Sequence, residues 1–149
     1  MQQPNPYPQH PASRTPSGGG LPWGLGFLAY IPIPFVAQIG AAITMAVVGA
    51  KRRRLGGVVG EQGRHAANWG LTYLTVTAVV AVVVVLGAIQ ANASAADARE
   101  GWNALIFTAL GVWLFGLNLA HLVCCVTGVV RAAKGIVFRS PIAIPFLRR

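Results

Sequence analysis

The side chains able to do chemistry in this 149-residue sequence are few and scattered. His121 puts a titratable imidazole deep inside an apolar stretch, with Asn118 one helical turn before it. Such a residue serves either a proton or ion path or a hydrogen bond between helices. A path would recruit a carboxylate, and the three acids, Glu61, Asp97 and Glu100, all lie outside the apolar stretches. The hydrogen-bonding role is therefore the expectation for His121. His65 and Asn68, three residues apart, share one helix face. They would serve either a polar contact to the C-terminal segment or a ligand, or the plainer role of capping and hydration at a helix start. Cys124 and Cys125 are adjacent, a poor arrangement for a structural disulfide, and read as two small apolar core residues. No metal-spaced His/Cys/Asp set and no Gly-rich phosphate loop occurs, and the one nearby carboxylate pair is Asp97/Glu100. The expectation is a protein with no enzymatic activity, catalytic residue, metal or cofactor.

The elements that must position these residues follow from charge spacing. Asp, Glu, Lys and Arg are absent from Thr15 to Ala50, from His65 to Ala96 and from Gly101 to Val130. Each block exceeds the ~20 residues that cross a ~30 Å hydrocarbon core. With 54% apolar residues and 10% charged ones, the chain cannot cover a water-soluble globule. Lipid requires internally satisfied backbone, so even the β-branched run Val79 to Val85 reads as helix. The expected fold is all-α, an integral membrane protein with three transmembrane helices, near 21–50, 66–89 and 102–130. Three regions follow: a disordered Pro/Gly-rich tail over 1–20, a transmembrane domain over 21–134, and a basic apolar interfacial segment over 135–149. The first span is longer than one crossing needs, and Ile31-Pro32-Ile33-Pro34 is expected to break it near Pro32 and Pro34.

Lys and Arg set the orientation. Lys51, Arg52, Arg53, Arg54, Arg64, Arg131, Lys134, Arg139, Arg148 and Arg149 fall on one side of a three-span topology, against Arg14 and Arg99 on the other. The expectation is N-terminus outside and C-terminus inside, with Trp23, Trp69 and Trp102 as interfacial anchors. Lys51 to Arg54, Arg148 and Arg149 would contact anionic lipid at the inner face. The net charge of +9 flanks apolar spans rather than covering a polar fold, which argues against nucleic-acid binding.

Two stretches carry a resemblance: Glu61-Gln62-Gly63-Arg64-His65-Ala66-Ala67-Asn68-Trp69 before and into the second span, and Ala133-Lys134-Gly135-Ile136-Val137-Phe138-Arg139-Ser140-Pro141 after the third. They resemble the bacterial membrane family catalogued as domain of unknown function 4870, itself similar to a channel-forming subunit of the plastid inner-envelope protein translocon. Gln62, His65 and Ser140 depart from that family's His, Glu and Tyr. The resemblance implies a three-helix fold and an inner-surface motif of Glu61, Gly63, Arg64, His65, Asn68, Gly135, Arg139 and Pro141. It pairs the C-terminal segment with Asn68, so Arg139 is expected to dock near Asn68 and Glu61. The function expected is an accessory or interaction subunit of a bacterial plasma-membrane complex, partnered by another membrane protein or by itself. The alternative is a subunit of a translocation pore or transporter, suggested by the broken first span.

Overall fold

The computed structural model describes residues 19–33 and 35–148. Residues 1–18 of the expected tail, Pro34 and Arg149 lie outside the described residues. Among those described, all regular structure is helical: α1 (Leu21–Gly24), a 3-10 stretch (Leu25–Tyr30), α2 (Val36–Arg53), α3 (Gly57–Ala93), α4 (Ala96–Gly111), a π-helical turn (Val112–Leu117) and α5 (Asn118–Ala133). Two continuous helices, Gly57–Ala93 and Ala96–Ala133, are long and apolar enough to cross a membrane. At 1.5 Å per residue each rises about 55 Å, nearly twice the hydrocarbon thickness.

α3 begins well before the expected start of the second span. The loop expected over 51–65 shrinks to Arg54–Gly56, because charged residues end a membrane span without ending a helix. Gly56 and Gly57 at φ +67° and +55° make the reversal. α2 then runs antiparallel to α3 at a separation set by glycine. A Cβ on Gly60 would lie 2.9 Å from the Arg53 carbonyl, one on Gly63 2.7 Å from that of Gly49, and one on Gly70 2.8 Å from that of Ala42. Side chains at these positions would force the two helices apart.

The first apolar block doubles back. The chain begins its described course at Gly19 and Gly20, beside Ala132 at the C-terminal end of α5. It climbs through α1 and the 3-10 stretch, where Tyr30 Oη donates to the Asn118 carbonyl at 2.6 Å. The helix stops at Ile31, whose backbone is extended (φ −64°, ψ 134°) just before Pro32, as the residue before a proline prefers. Beyond Pro32 the direction reverses, with Phe35 at φ 62° stacked on Trp113 at 5.0 Å. α2 carries the chain back to Arg53, at the end of the bundle where it entered. Where three spans were expected, two helices among the described residues are long and apolar enough to cross a membrane, and the first apolar block is divided into short helices that turn back on themselves. A 30-residue apolar block can double back as readily as cross obliquely, and hydropathy registers only its length.

The segment after α5 also folds onto the bundle. Gly135 at φ +70° ends α5 with paired bonds from Ile136 N to Arg131 O (2.9 Å) and from Gly135 N to Ala132 O (3.0 Å). The chain then runs alongside α5 as far as Ser140, within 3.5 Å of Cys124, and returns along α3 to Arg148, whose carbonyl accepts from Arg53 at 3.5 Å. The half of the molecule holding Arg53 and Ala132 therefore contains α1, the 3-10 stretch, α2, the C-terminal segment and the two long helices. The other half is α3 against α4 alone, joined at Ser94 and Ala95 and closely packed where Gly87 meets Ile106.

Candidate functional site

Three of the buried polar side chains, Gln62, Thr77 and His121, are bound to tryptophan. Three indoles are buried, and each donates its only polar hydrogen to a side chain on another helix. Trp23 Nε1 donates to Gln62 Oε1 at 3.0 Å, Trp69 Nε1 to His121 Nδ1 at 3.1 Å, and Trp113 Nε1 to Thr77 Oγ1 at 3.1 Å. In lipid an unpaired indole N–H has no water to turn to, so each bond fixes one pair of helices at one depth. Trp23 and Trp69 are thus core residues at 0% and 1% exposure, not the interfacial anchors that their positions in the sequence indicated.

His121 sits at the centre of this arrangement, fully buried. An indole can only donate, so His121 Nδ1 accepts and the proton resides on Nε2, which donates to the Gly26 carbonyl at 3.0 Å. Both ring nitrogens of the neutral imidazole are thereby used. Cys125 Sγ approaches Nε2 at 3.5 Å, and the rings of Tyr73 and Trp69 lie 4.3 and 6.1 Å away. Gly26 is required here because a Cβ would strike Cys125 Sγ and come within 2.8 Å of Met45 Sδ. His121 and Asn118, one turn apart, act on the same joint. Asn118 accepts from Tyr73 Oη at 2.9 Å and its side chain donates at 3.1 Å to the Trp113 carbonyl, which also accepts the Asn118 backbone N–H across the π turn. The result is a set of mutually satisfied bonds linking the 3-10 stretch, α3 and α5. It supports interhelical fastening and offers no carboxylate relay.

The second polar cluster joins α3 to the C-terminal segment. Asn68 lies eleven residues inside α3, so it caps nothing. Its Oδ1 accepts from Leu147 N at 2.7 Å, and its Nδ2 donates to Leu147 O at 3.3 Å. Thr72, one turn on, accepts from Ile144 N at 2.8 Å while donating to the Asn68 carbonyl. Gln62, fully buried, accepts from Trp23 and donates to Ile136 O at 2.6 Å. The docking is therefore made by the main chain at Ile136, Ile144 and Leu147. Arg139, expected against Asn68 and Glu61, is exposed, and Glu61 pairs with Arg64 and lies 3.7 Å from His65. Gly63 and Gly135 serve close helix approach and helix termination, and Pro141 lies exposed in a turn. Lys51 to Arg54 and Arg148 gather at the end of the bundle where the segment docks.

Sequence reasoning passed over Gln62, Tyr73, Thr77 and Trp113. The signal was present: Gln62, Ala66, Trp69, Tyr73 and Thr77 recur every three to four residues, one stripe of α3 facing the bundle. Among the described residues no group of three His, Cys, Asp or Glu could hold a metal ion.

Each departure from the family of unknown function proposed above has a use of its own here. Gln62 bridges Trp23 to Ile136, His65 faces Glu61, and Ser140 meets Cys124. Neither the curated proteins nor the solved structures give a match. A family model does match, over residues 22–147, from the start of α1 to the Leu147 peptide held by Asn68. It is not that of domain 4870, nor that of a translocon channel subunit, and the resemblance to both is corrected by it, together with the pore reading that leaned on them. The chain belongs to MamF/MmsF, the magnetosome magnetite crystal formation protein family.

Proposed function

We propose that this chain is an accessory, non-enzymatic protein of the bacterial membrane where magnetite crystals form, acting through contacts with lipid and with other membrane proteins. The observation that carries the reading is the family match across residues 22–147. The site chemistry supports it: the imidazole, the three buried indoles and the buried amides are engaged in bonds that hold helices together. Two long helices would cross the membrane, while the block from Leu21 to Arg53 would enter and return as a hairpin. Of the ten Lys and Arg among the described residues, only Arg99, in the first turn of α4 and bonded to the Ala91 and Ser94 carbonyls, lies at the end where α3 and α4 are joined. The positive-inside rule would then put the opposite, basic end of the bundle in the cytoplasm.

An in-frame deletion in the native host, with electron microscopy of the crystals, tests the reading. Smaller or misshapen magnetite crystals, restored by the wild-type chain, are expected. A host that forms no magnetite, or crystals of unchanged size and shape in the deletion strain, overturns it.

A further inference from the structure

The outward face of α5 carries a groove that none of the bonds described so far explains. Its floor runs from Gly116 of the π turn through Ala120 and Val123 to Thr127 of α5, and its wall is Phe138, Pro141 and Ile142 of the returning C-terminal segment. It is an open groove of about 450 Å³ whose lining is almost wholly apolar. From Gly116 to Thr127 the helix rises about 16 Å, so the lining follows the helix over that length. Gly116 has no neighbour nearer than 3.9 Å to an added Cβ, the close atom being Val112 Cγ1 of its own helix. That glycine therefore opens the groove instead of admitting a packed helix, unlike Gly49 or Gly63.

At its cytoplasmic end the same face continues to Arg131, one turn beyond Thr127. The Arg131 guanidinium lies 5.7 Å over the Phe138 ring that walls the groove, and Lys134 and Arg139 are exposed close by in sequence. Arg131 also closes the paired bonds at the end of α5 through its carbonyl, which anchors its backbone at the mouth. An apolar groove of this length, with the Arg131 guanidinium over its Phe138 wall and Lys134 and Arg139 exposed close by in sequence, matches an amphiphile with one long hydrocarbon chain along the protein and an anionic headgroup. A second copy of this chain would bring the same cations to the same mouth, so charge argues against self-association there.

We propose that this groove is a specific site for an anionic phospholipid. One acyl chain lies between α5 and the 138–142 segment, and the phosphate is held by Arg131 with support from Lys134 and Arg139. The inference rests on the membrane placement of the bundle and is independent of the role in crystal formation. It also gives the C-terminal segment a purpose beyond covering α3, since without it the groove has a floor and no wall.

The test uses the full chain purified in mild detergent. It is exposed to equal amounts of phosphatidylglycerol and phosphatidylcholine with matched sixteen-carbon chains, and retained lipid is counted by native mass spectrometry. Wild type should retain phosphatidylglycerol preferentially, and Arg131→Gln should reduce that preference about fivefold, the weight of one basic residue near an anionic headgroup. Gly116→Leu, which fills the far end of the groove, should keep the headgroup preference while abolishing the advantage of sixteen-carbon over eight-carbon chains. Thermal unfolding of each variant shows whether it is folded. If Arg131→Gln does not fold, Lys134→Gln combined with Arg139→Gln replaces it with the same expectation. Equal retention of both lipids by wild type, or unchanged preference in the charge variants, overturns the proposal. So does a dimer linked through Val123→Cys in the groove, in a background with Cys124 and Cys125 replaced by Ser.

Discussion

The carboxamide of Asn68 and the peptide of Leu147 bind each other in both directions, donor to acceptor and acceptor to donor, across 79 residues of chain. One asparagine thus holds the end of the C-terminal segment as a neighbouring strand would. Replacing it with Ala removes both bonds and leaves a peptide group unpaired. Asn68→Ala should weaken docking by about 1–2 kcal/mol. Amide exchange at Ile144 and Leu147 should accelerate roughly tenfold, with α4 unaffected. Asn68→Asp keeps the acceptor for Leu147 N–H and should fall between the two. Unchanged exchange at Leu147 in the Ala variant would refute the clasp.

The Trp69 indole and the Gly26 carbonyl together set the tautomer of His121. Nitrogen NMR of a chain labelled at histidine should show His121 at neutral pH with Nε2 protonated and Nδ1 bare. Trp69→Phe removes the donor to Nδ1 while the Gly26 carbonyl still holds the proton on Nε2, so the tautomer should persist, with a loss of about 1 kcal/mol in stability. An imidazolium signal for His121 in the wild-type chain would contradict the assignment.

Glycines differ sharply in what surrounds them, and their substitution should separate them. A Cβ at Gly128 would overlap the Trp23 ring, and one at Gly26 would overlap Cys125 Sγ, whereas Gly116 has room. Gly128→Ala and Gly26→Ala should each destabilise by about 1–3 kcal/mol, as overpacking of a tight core does. Gly116→Ala should be neutral or slightly stabilising, since alanine is the better helix former. Melting in detergent measures all three, and equal Tm values would count against the packing described.

The doubling back of the first block has a topological readout. With Cys124 and Cys125 replaced, single cysteines at Leu21, Leu55 and Ser140 should react with an impermeant thiol reagent from the same side of the membrane. A cysteine at Ser94 should react from the other. Labelling of Leu21 together with Ser94 would restore a crossing first segment and remove the hairpin.

Local chemistry made part of this fold legible. Charge-free blocks marked the two long helices, and the extended residue before Pro32 marked the interruption of the first. Non-local pairing decided the rest. Whether the chain beyond Pro32 continues or reverses depends on Tyr30 reaching the Asn118 carbonyl and Phe35 reaching Trp113, residues some eighty positions away. Trp23 and Trp69 misled for a related reason. Their positions near span ends fit a belt at the interface, while their burial depends on Gln62 and His121 standing opposite, which no local pattern records. Asn68 was singled out correctly as a residue to weigh, but its partner was sought among charged side chains. The group that meets it is a main-chain amide, and main-chain amides leave no mark in a sequence.

The unequal halves of the bundle bear on the shape of the bilayer itself. With the two long helices crossing as proposed, one leaflet would make room for two long helices, a hairpin and a returning tail, while the other would accommodate two helices only. At about 10 Å per helix diameter, the hairpin alone adds roughly two helix cross-sections to one leaflet and none to the other. A flat bilayer meets such a wedge with a mismatch of area, and a bilayer bent so that the basic end lies on its convex surface meets it with less. Crowded together, chains of this form would favour a small vesicle over a plane.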